Sequence, residues 1–317
     1  MSARLTGSLL ALGAALMWGT AWVATGVALR EFSPEAVAAW RGAGSLLLVA
    51  GLLAARASRA APLPAHARSG EHDARRPGRL LRYALLAMLG GPWFVLGMTL
   101  AVELAGATVS AFVAGLYPVV AAVAAPLLLP ERPSRAAVLG LLAAFLGVLL
   151  LAGFDPLGVP PLGVAVAISV AVFFGLFLLL VRRWSSSWGL SPLHMTAANF
   201  AVLTLVALPL VLVLSPHSFV PAASVAGWLA VGWLIVGPGV LANLFVLGSV
   251  RRLPAHESSA YLMLAPLTAW LLAGVLLGEQ LAAVQALGAV LVLAGIAAAT
   301  LPLSRIVERR YGPGAIR

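Results

Sequence analysis

Among its 317 residues the chain has no cysteine and no lysine, and Asp, Glu and Arg together make up only 9% of it. Without Cys there is no disulfide, no thiolate metal site and no cysteine nucleophile. So little charge, where soluble domains carry roughly a quarter, excludes a water-soluble globular fold. Apolar residues take up 62% of the sequence and the mean hydropathy is +1.04. This hydrophobicity runs the whole length, so it belongs to a series of spans and not to one anchor on a soluble domain. All 20 basic residues are Arg, for a net charge of +10 and a pI near 11.5. Such a charge would raise nucleic-acid binding unless its placement has another reason.

A hydrocarbon layer about 30 Å thick takes roughly 20 apolar helical residues to cross. Cutting the chain where charge, Pro or Gly interrupts such runs leaves ten, near Gly7–Leu29, Glu35–Ala55, Leu80–Val102, Ala107–Leu129, Arg135–Ala152, Pro161–Val181, Pro192–Leu214, Ser224–Leu247, Glu257–Leu277 and Ala282–Leu301. The first passes Trp18 and Trp22 without a cleavage site and reads as an uncleaved helix. With the N-terminus in the cytoplasm, 18 of the 20 Arg fall on that side, and only Arg30 and Arg41 are left opposite. The basic charge is therefore topological, and no nucleic-acid partner is expected. Arg without Lys, amid much Ala, Gly and Pro, points to a GC-rich bacterial genome and so to the bacterial inner membrane, with both termini cytoplasmic. The expected organisation is spans one and two in 1–55, a flexible basic cytoplasmic loop in 56–79, spans three to five in 80–153, a second repeat in 154–302 and a cytoplasmic tail in 303–317.

The word repeat rests on a register. Shifting the chain by 148 residues lays Ser110 on Ser258, Pro118 on Pro266, Glu131 on Glu279, Gly140 on Gly288 and Gly147 on Gly295 without a gap. Earlier spans match with insertions: Leu12-Gly13 with Leu162-Gly163, and Ser33-Pro34 with Ser191-Pro192. Phe94-Val95-Leu96-Gly97 reappears as Phe245-Val246-Leu247-Gly248, yet Gly91-Pro92 also resembles Gly237-Pro238, and one ungapped register cannot hold both. Five spans per half is an odd number, so the second half enters the membrane in the opposite sense. The expected fold is all-α, with ten transmembrane helices as two inverted five-helix repeats, an arrangement of secondary transporters whose site lies near midplane between the halves.

These five-plus-five spans, Trp18-Gly19-Thr20 in the first, Pro34 followed by Arg41 in the second, and the doubled Pro, Glu and Gly pattern resemble the EamA-type members of the drug/metabolite transporter superfamily. The resemblance covers nearly the whole chain and implies an exporter of small metabolites such as amino acids, nucleosides or drugs. Many relatives carry an acidic residue just before the ninth-span Pro; here that position is Ala265.

Several residues stand out on chemical grounds. Trp18 and Trp22 share a helix face, continued by Thr25, and can wall a cavity for an amphipathic solute. Trp93, Tyr117 and Tyr261, the hydroxyls of Ser110 and Ser258, and the amide of Asn243 are further candidates for solute binding, against plain helix packing. Pro118 and Pro266 each free a carbonyl four residues earlier, at Ala114 and Leu262, and form a symmetric pair for kinking or gating. Arg41 is the one Arg well inside a span. It stands seven residues after Pro34 as Asn199 stands seven after Pro192, which favours a structural polar pairing at the repeat interface over solute contact. Glu131 and Glu279 follow spans four and nine and are expected to cap the next helix, as Glu257 does in a first turn after Pro254.

The five His show no metal-ligand spacing, no glycine-rich phosphate loop follows a strand, and ionisable residues are not clustered at one depth as an intramembrane enzyme needs. No metal, cofactor or catalytic residue is expected; the partners are a small solute and the lipid bilayer. No carboxylate sits at the centre of a span, so the expected solute is neutral or zwitterionic, such as an amino acid, moved by alternating access. The alternatives are an intramembrane enzyme on lipid-like substrates and a proton-coupled drug exporter.

Overall fold

The computed structural model describes residues 2–59, 77–129, 134–152, 160–188, 191–220, 223–277 and 283–300. Among the described residues every regular element is helical. In chain order these are α1 (Ala3–Ala28), α2 (Pro34–Arg59), α3 (Pro77–Met88), α4 (Phe94–Ala114), α5 (Tyr117–Leu128), α6 (Arg135–Ala152), α7 (Pro161–Trp188), α8 (Pro192–Leu214), α9 (Val225–Leu234), α10 (Ala242–Val250), α11 (Ala255–Leu262), α12 (Leu264–Leu277) and α13 (Ala283–Thr300). Serine caps begin five of them: Ser2, Ser33, Ser134, Ser191 and Ser224 accept the backbone N–H of Leu5, Ala36, Ala137, His194 and Gly227 at 3.2, 3.4, 3.1, 3.3 and 3.2 Å. Each satisfies an amide that the first helical turn cannot. Helix reaches into both edges of the expected basic loop, since α2 runs on to Arg59 and α3 starts at Pro77. The Ala and Arg at its edges are good helix formers, and Pro is at home in a first turn.

Two rods are interrupted by π-helical segments, Leu89–Trp93 between α3 and α4 and Ile235–Leu241 between α9 and α10, each holding a Gly-Pro pair. Proline has no N–H to give the ladder, and a local widening absorbs the missing bond. Side chains bond the carbonyls of the second segment: Trp18 Nε1 donates to Pro238 O at 3.2 Å, Ser45 Oγ to Ile235 O at 3.2 Å, and Asn243 Nδ2 to Gly239 O at 2.8 Å. The shared π segments favour matching Gly91-Pro92 with Gly237-Pro238, the pairing that sequence left open.

The other proline pair breaks its helices at the carbonyls it frees. α4 ends at Ala114 and α11 at Leu262, and the chain tightens there through three-residue bonds, Leu116 N to Val113 O and Met263 N to Ala260 O, both 3.1 Å. Within α4 the chain turns at Gly106, whose φ of +78° is open to Gly at little cost. This is the gap between the third and fourth apolar runs.

Among the described residues six helices are long and apolar enough to cross a membrane, and shorter apolar helices lie over Val119–Leu128, Arg135–Leu150, Ala260–Leu272 and Ala286–Ala299. Large apolar side chains cover the outside, with Leu127 83%, Val213 78% and Leu47 73% exposed, a surface suited to lipid. Inside, α1 packs against α9 to α12 and α7 against α4 and α5, while α2 lies on α8 and α6 on α13.

Candidate functional site

A cavity forms where α1 and α2 meet α4, α5, α7 and α12. Its walls include Trp18, Trp22, Phe94, Met98, Tyr117 and Phe174, and Arg41 and Pro266 also face it. Its volume is about 30 Å³, too small for a metabolite-sized solute.

The aromatic wall is a connected set. Phe174 stacks on Phe94 with ring centroids 4.0 Å apart, meets Trp18 edge-on at 5.3 Å and Tyr117 edge-on at 5.3 Å, and Trp18 leans on Phe94 at 5.5 Å. These offset and edge contacts are the arrangements that ring quadrupoles favour. The Trp18-Gly19-Thr20 sequence joins α1 to the second π segment and the start of α9: Trp18 bonds Pro238, and Thr20 Oγ1 accepts from Trp233 Nε1 at 2.8 Å while donating to Met17 O at 2.7 Å.

Polar groups on this cavity are few, and those of two residues lack partners. Arg41 is only 1% exposed, and its Nε and Nη1 have no hydrogen-bond partner among the described residues. The Tyr117 hydroxyl is buried and unpartnered as well. None of the described lining residues is acidic, and Ala265 stands there beside Pro266.

Of the residues proposed from sequence, Trp18, Trp22, Tyr117, Arg41 and Pro266 come together here. Trp93 does not. It is 43% exposed, packs edge-on against Phe173, and lines an apolar groove of about 580 Å³ on the outer face between α4, α7 and α8. Ser110 is buried without a hydrogen-bond partner for its hydroxyl, away from the cavity lining. Ser258 shares a 2.8 Å hydrogen bond with Ser249, Asn243 is used by Gly239, and Tyr261 packs beside Leu141, Ala144 and Val292. Asn199 lies against the backbone of Gly90 and Gly91, its amide unpartnered, with no hydrogen bond to Arg41. The side chain of Pro118, and Glu131 and Glu279 altogether, lie outside the described residues. Phe94 and Phe174 are the members that sequence reasoning passed over; Phe173, Phe174 and Phe177 at helical spacing were the available signal.

Two girdles close the ends. At one, Arg4 pairs with Glu257 at 3.1 Å, Arg183 donates to Leu128 O at 2.7 Å and Arg182 to Val250 O at 3.0 Å, so that these two guanidinium groups cap the C-terminal carbonyls of α5 and α10. At the other, Trp40 stacks on Phe219 at 5.1 Å and donates to its carbonyl at 2.7 Å, Trp228 meets Trp40 and Phe32 edge-on, and Ser224 Oγ donates to Glu31 at 2.6 Å.

The model of the EamA-like transporter family matches the chain twice, over residues 5–153 and 161–301. The chain belongs to the EamA-like transporter family. EamA-like proteins are membrane transporters, so this is a multi-pass membrane protein of the drug/metabolite transporter superfamily. A solved structure described only as "Crystal structure of protein" is similar to this EamA-like chain at 22% identity and a TM-score of 0.76, over 96% of this chain and 99% of that one, and shows the shared fold. No curated protein sequence matches significantly. The cavity and its aromatic wall draw on both matched repeats, with Trp18, Arg41, Phe94 and Tyr117 from the first and Phe174 and Pro266 from the second.

Proposed function

We propose that the protein is a ten-crossing transporter of the bacterial inner membrane, with both termini cytoplasmic, that exports a small neutral or zwitterionic organic metabolite such as an amino acid. Two five-crossing halves of inverted orientation alternate access to the site between them. The observation that carries this reading is the cavity itself: a narrow, aromatic space, with no acid among its described lining residues, built from both repeats on either side of the Pro266 helix break. A volume of about 30 Å³ admits no metabolite, so it belongs to the closed stage of a cycle in which the halves rock apart.

The packing pattern supports the inversion. α1 meets the rods of α9 to α12 as α7 meets those of α4 and α5, and α2 with α8 and α6 with α13 are each a span and its own counterpart. The absence of an acid among the described cavity residues argues against proton exchange for lipophilic cations, which needs a carboxylate at that depth.

Counterflow of radiolabelled solutes in proteoliposomes tests the reading, with an amino-acid panel beside ethidium-like cations, each with and without an imposed pH gradient. Amino-acid exchange is the expected result. Strong proton-driven movement of the cations alone overturns it.

A further inference from the structure

We infer that Arg41 is a carboxylate-binding residue, and that the solute is a carboxylate with an apolar, ring-sized body. The inference rests on the transporter reading and narrows its substrate. Arg41 is only 1% exposed to solvent, it faces the cavity, and its Nε and Nη1 have no partner among the described residues. A charge held in so apolar a place is costly unless an opposite charge reaches it. Arginine also cannot escape the cost by shedding its proton.

The described acids of the chain do not supply that charge. Glu31 is bound to Ser224, Glu35 to Ser215 and Glu257 to Arg4, and Glu103 is exposed on α4 with no hydrogen bond or ion pair to Arg41. Snorkelling to the surface, the usual relief for a membrane arginine, is not used either, since the side chain is only 1% exposed. An incoming carboxylate would satisfy the planar fork through two parallel N–H bonds. The Tyr117 hydroxyl, buried on the same cavity without a partner, is a further donor. Trp18, Trp22, Phe94 and Phe174 would then hold the apolar body. A solute lacking the carboxylate would leave both polar groups unpaired, so discrimination against it should be strong.

The test uses the purified full chain in lipid nanodiscs and four probes of similar size: L-phenylalanine and phenylacetate, which carry the carboxylate, and phenylacetamide and phenethylamine, which do not. Binding is read by calorimetry or by thermal shift. The wild type is expected to bind the two acids at least tenfold more tightly than phenylacetamide. Arg41→Gln should abolish that preference while the protein stays monodisperse on size exclusion. Should Arg41→Gln fail to fold, Arg41→Lys keeps the charge, and it should retain the preference at weaker affinity because an ammonium cannot form the fork. Equal binding of acid and amide by the wild type, or an unchanged preference in a folded Arg41→Gln, overturns the inference. Counterflow separates the two levels. Arg41-dependent binding without exchange of any probe would sink the transporter reading and keep the site, whereas brisk exchange of phenylacetamide with indifference to Arg41 would do the reverse.

Discussion

Gly140 of α6 and Gly295 of α13 meet backbone to backbone: a Cβ on Gly140 would stand 2.6 Å from the Gly295 carbonyl oxygen. Seven residues away the contact is mirrored, since a Cβ on Gly147 would stand 2.5 Å from the carbonyl oxygen of Gly288. The repeat register equates Gly140 with Gly288 and Gly147 with Gly295, so each glycine touches the counterpart of its neighbour. Close approach of this kind lets membrane helices gain dispersion contact where water offers no hydrophobic drive.

Substitution at this seam should therefore be harsh. Gly147→Val and Gly295→Val are expected to lower the thermal midpoint in detergent clearly, with an overpacking cost on the order of 1–3 kcal/mol each. Gly51→Ala and Gly232→Ala, where an added Cβ meets nothing within 4 Å, serve as controls and should be neutral or slightly stabilising. Equal behaviour of the two sets, followed by fluorescence-detected size exclusion, would refute a packing role for the seam.

Trp18 holds both the wall of the cavity and the carbonyl of Pro238. Shortening it to Ala removes a side chain that is 6% exposed and contacts Phe94 and Phe174, so Trp18→Ala should destabilise the fold by about 3–5 kcal/mol as well as reduce flux. Trp18→Phe keeps most of the ring and loses the hydrogen bond; membrane abundance near wild type with exchange lowered several-fold is the expected pair of readings.

Orientation can be read directly, because the chain has no native Cys. Single Cys residues at Ser69, Ser187 and Ser304 should resist an impermeant thiol reagent in intact cells, and one at Ser218 should react. The opposite pattern would invert the proposed topology.

The hydrogen bonds from Ser224 hold the Glu31 carboxyl below its ordinary value of 4.5. A lowered folded value means that the contact favours the closed girdle fully above the ordinary carboxylate range and is lost as pH falls through the lowered value. Near neutral pH, Ser224→Ala should therefore raise the accessibility of a reporter Cys at Val231 on α9, and the wild type should come to match it only in acid. A wild type already as accessible at neutral pH would show that the girdle does not close this end.

What the sequence determined was the division of the chain into apolar runs, the prolines that kink two of them, the uneven placement of Arg among the connections, and the doubled pattern of Ser, Pro and Gly. Each of these is local or additive along the chain, and a bilayer enforces it segment by segment through length, hydropathy and charge. Helix facing is another matter. In a soluble helix the polar side marks the outside, but here lipid and core are equally apolar, so sequence could not distinguish Trp18, which faces the cavity, from Trp93, which faces outward. Only the tertiary packing decided that, as it decided the surroundings of the second π segment, whose Pro238 and Ile235 carbonyls accept from Trp18 of α1 and Ser45 of α2 far along the chain. It also decided that Arg41 and Asn199, matched by spacing, make no hydrogen bond with one another, because α2 turns the arginine toward the cavity while α8 lays the asparagine against the glycines of the first π segment.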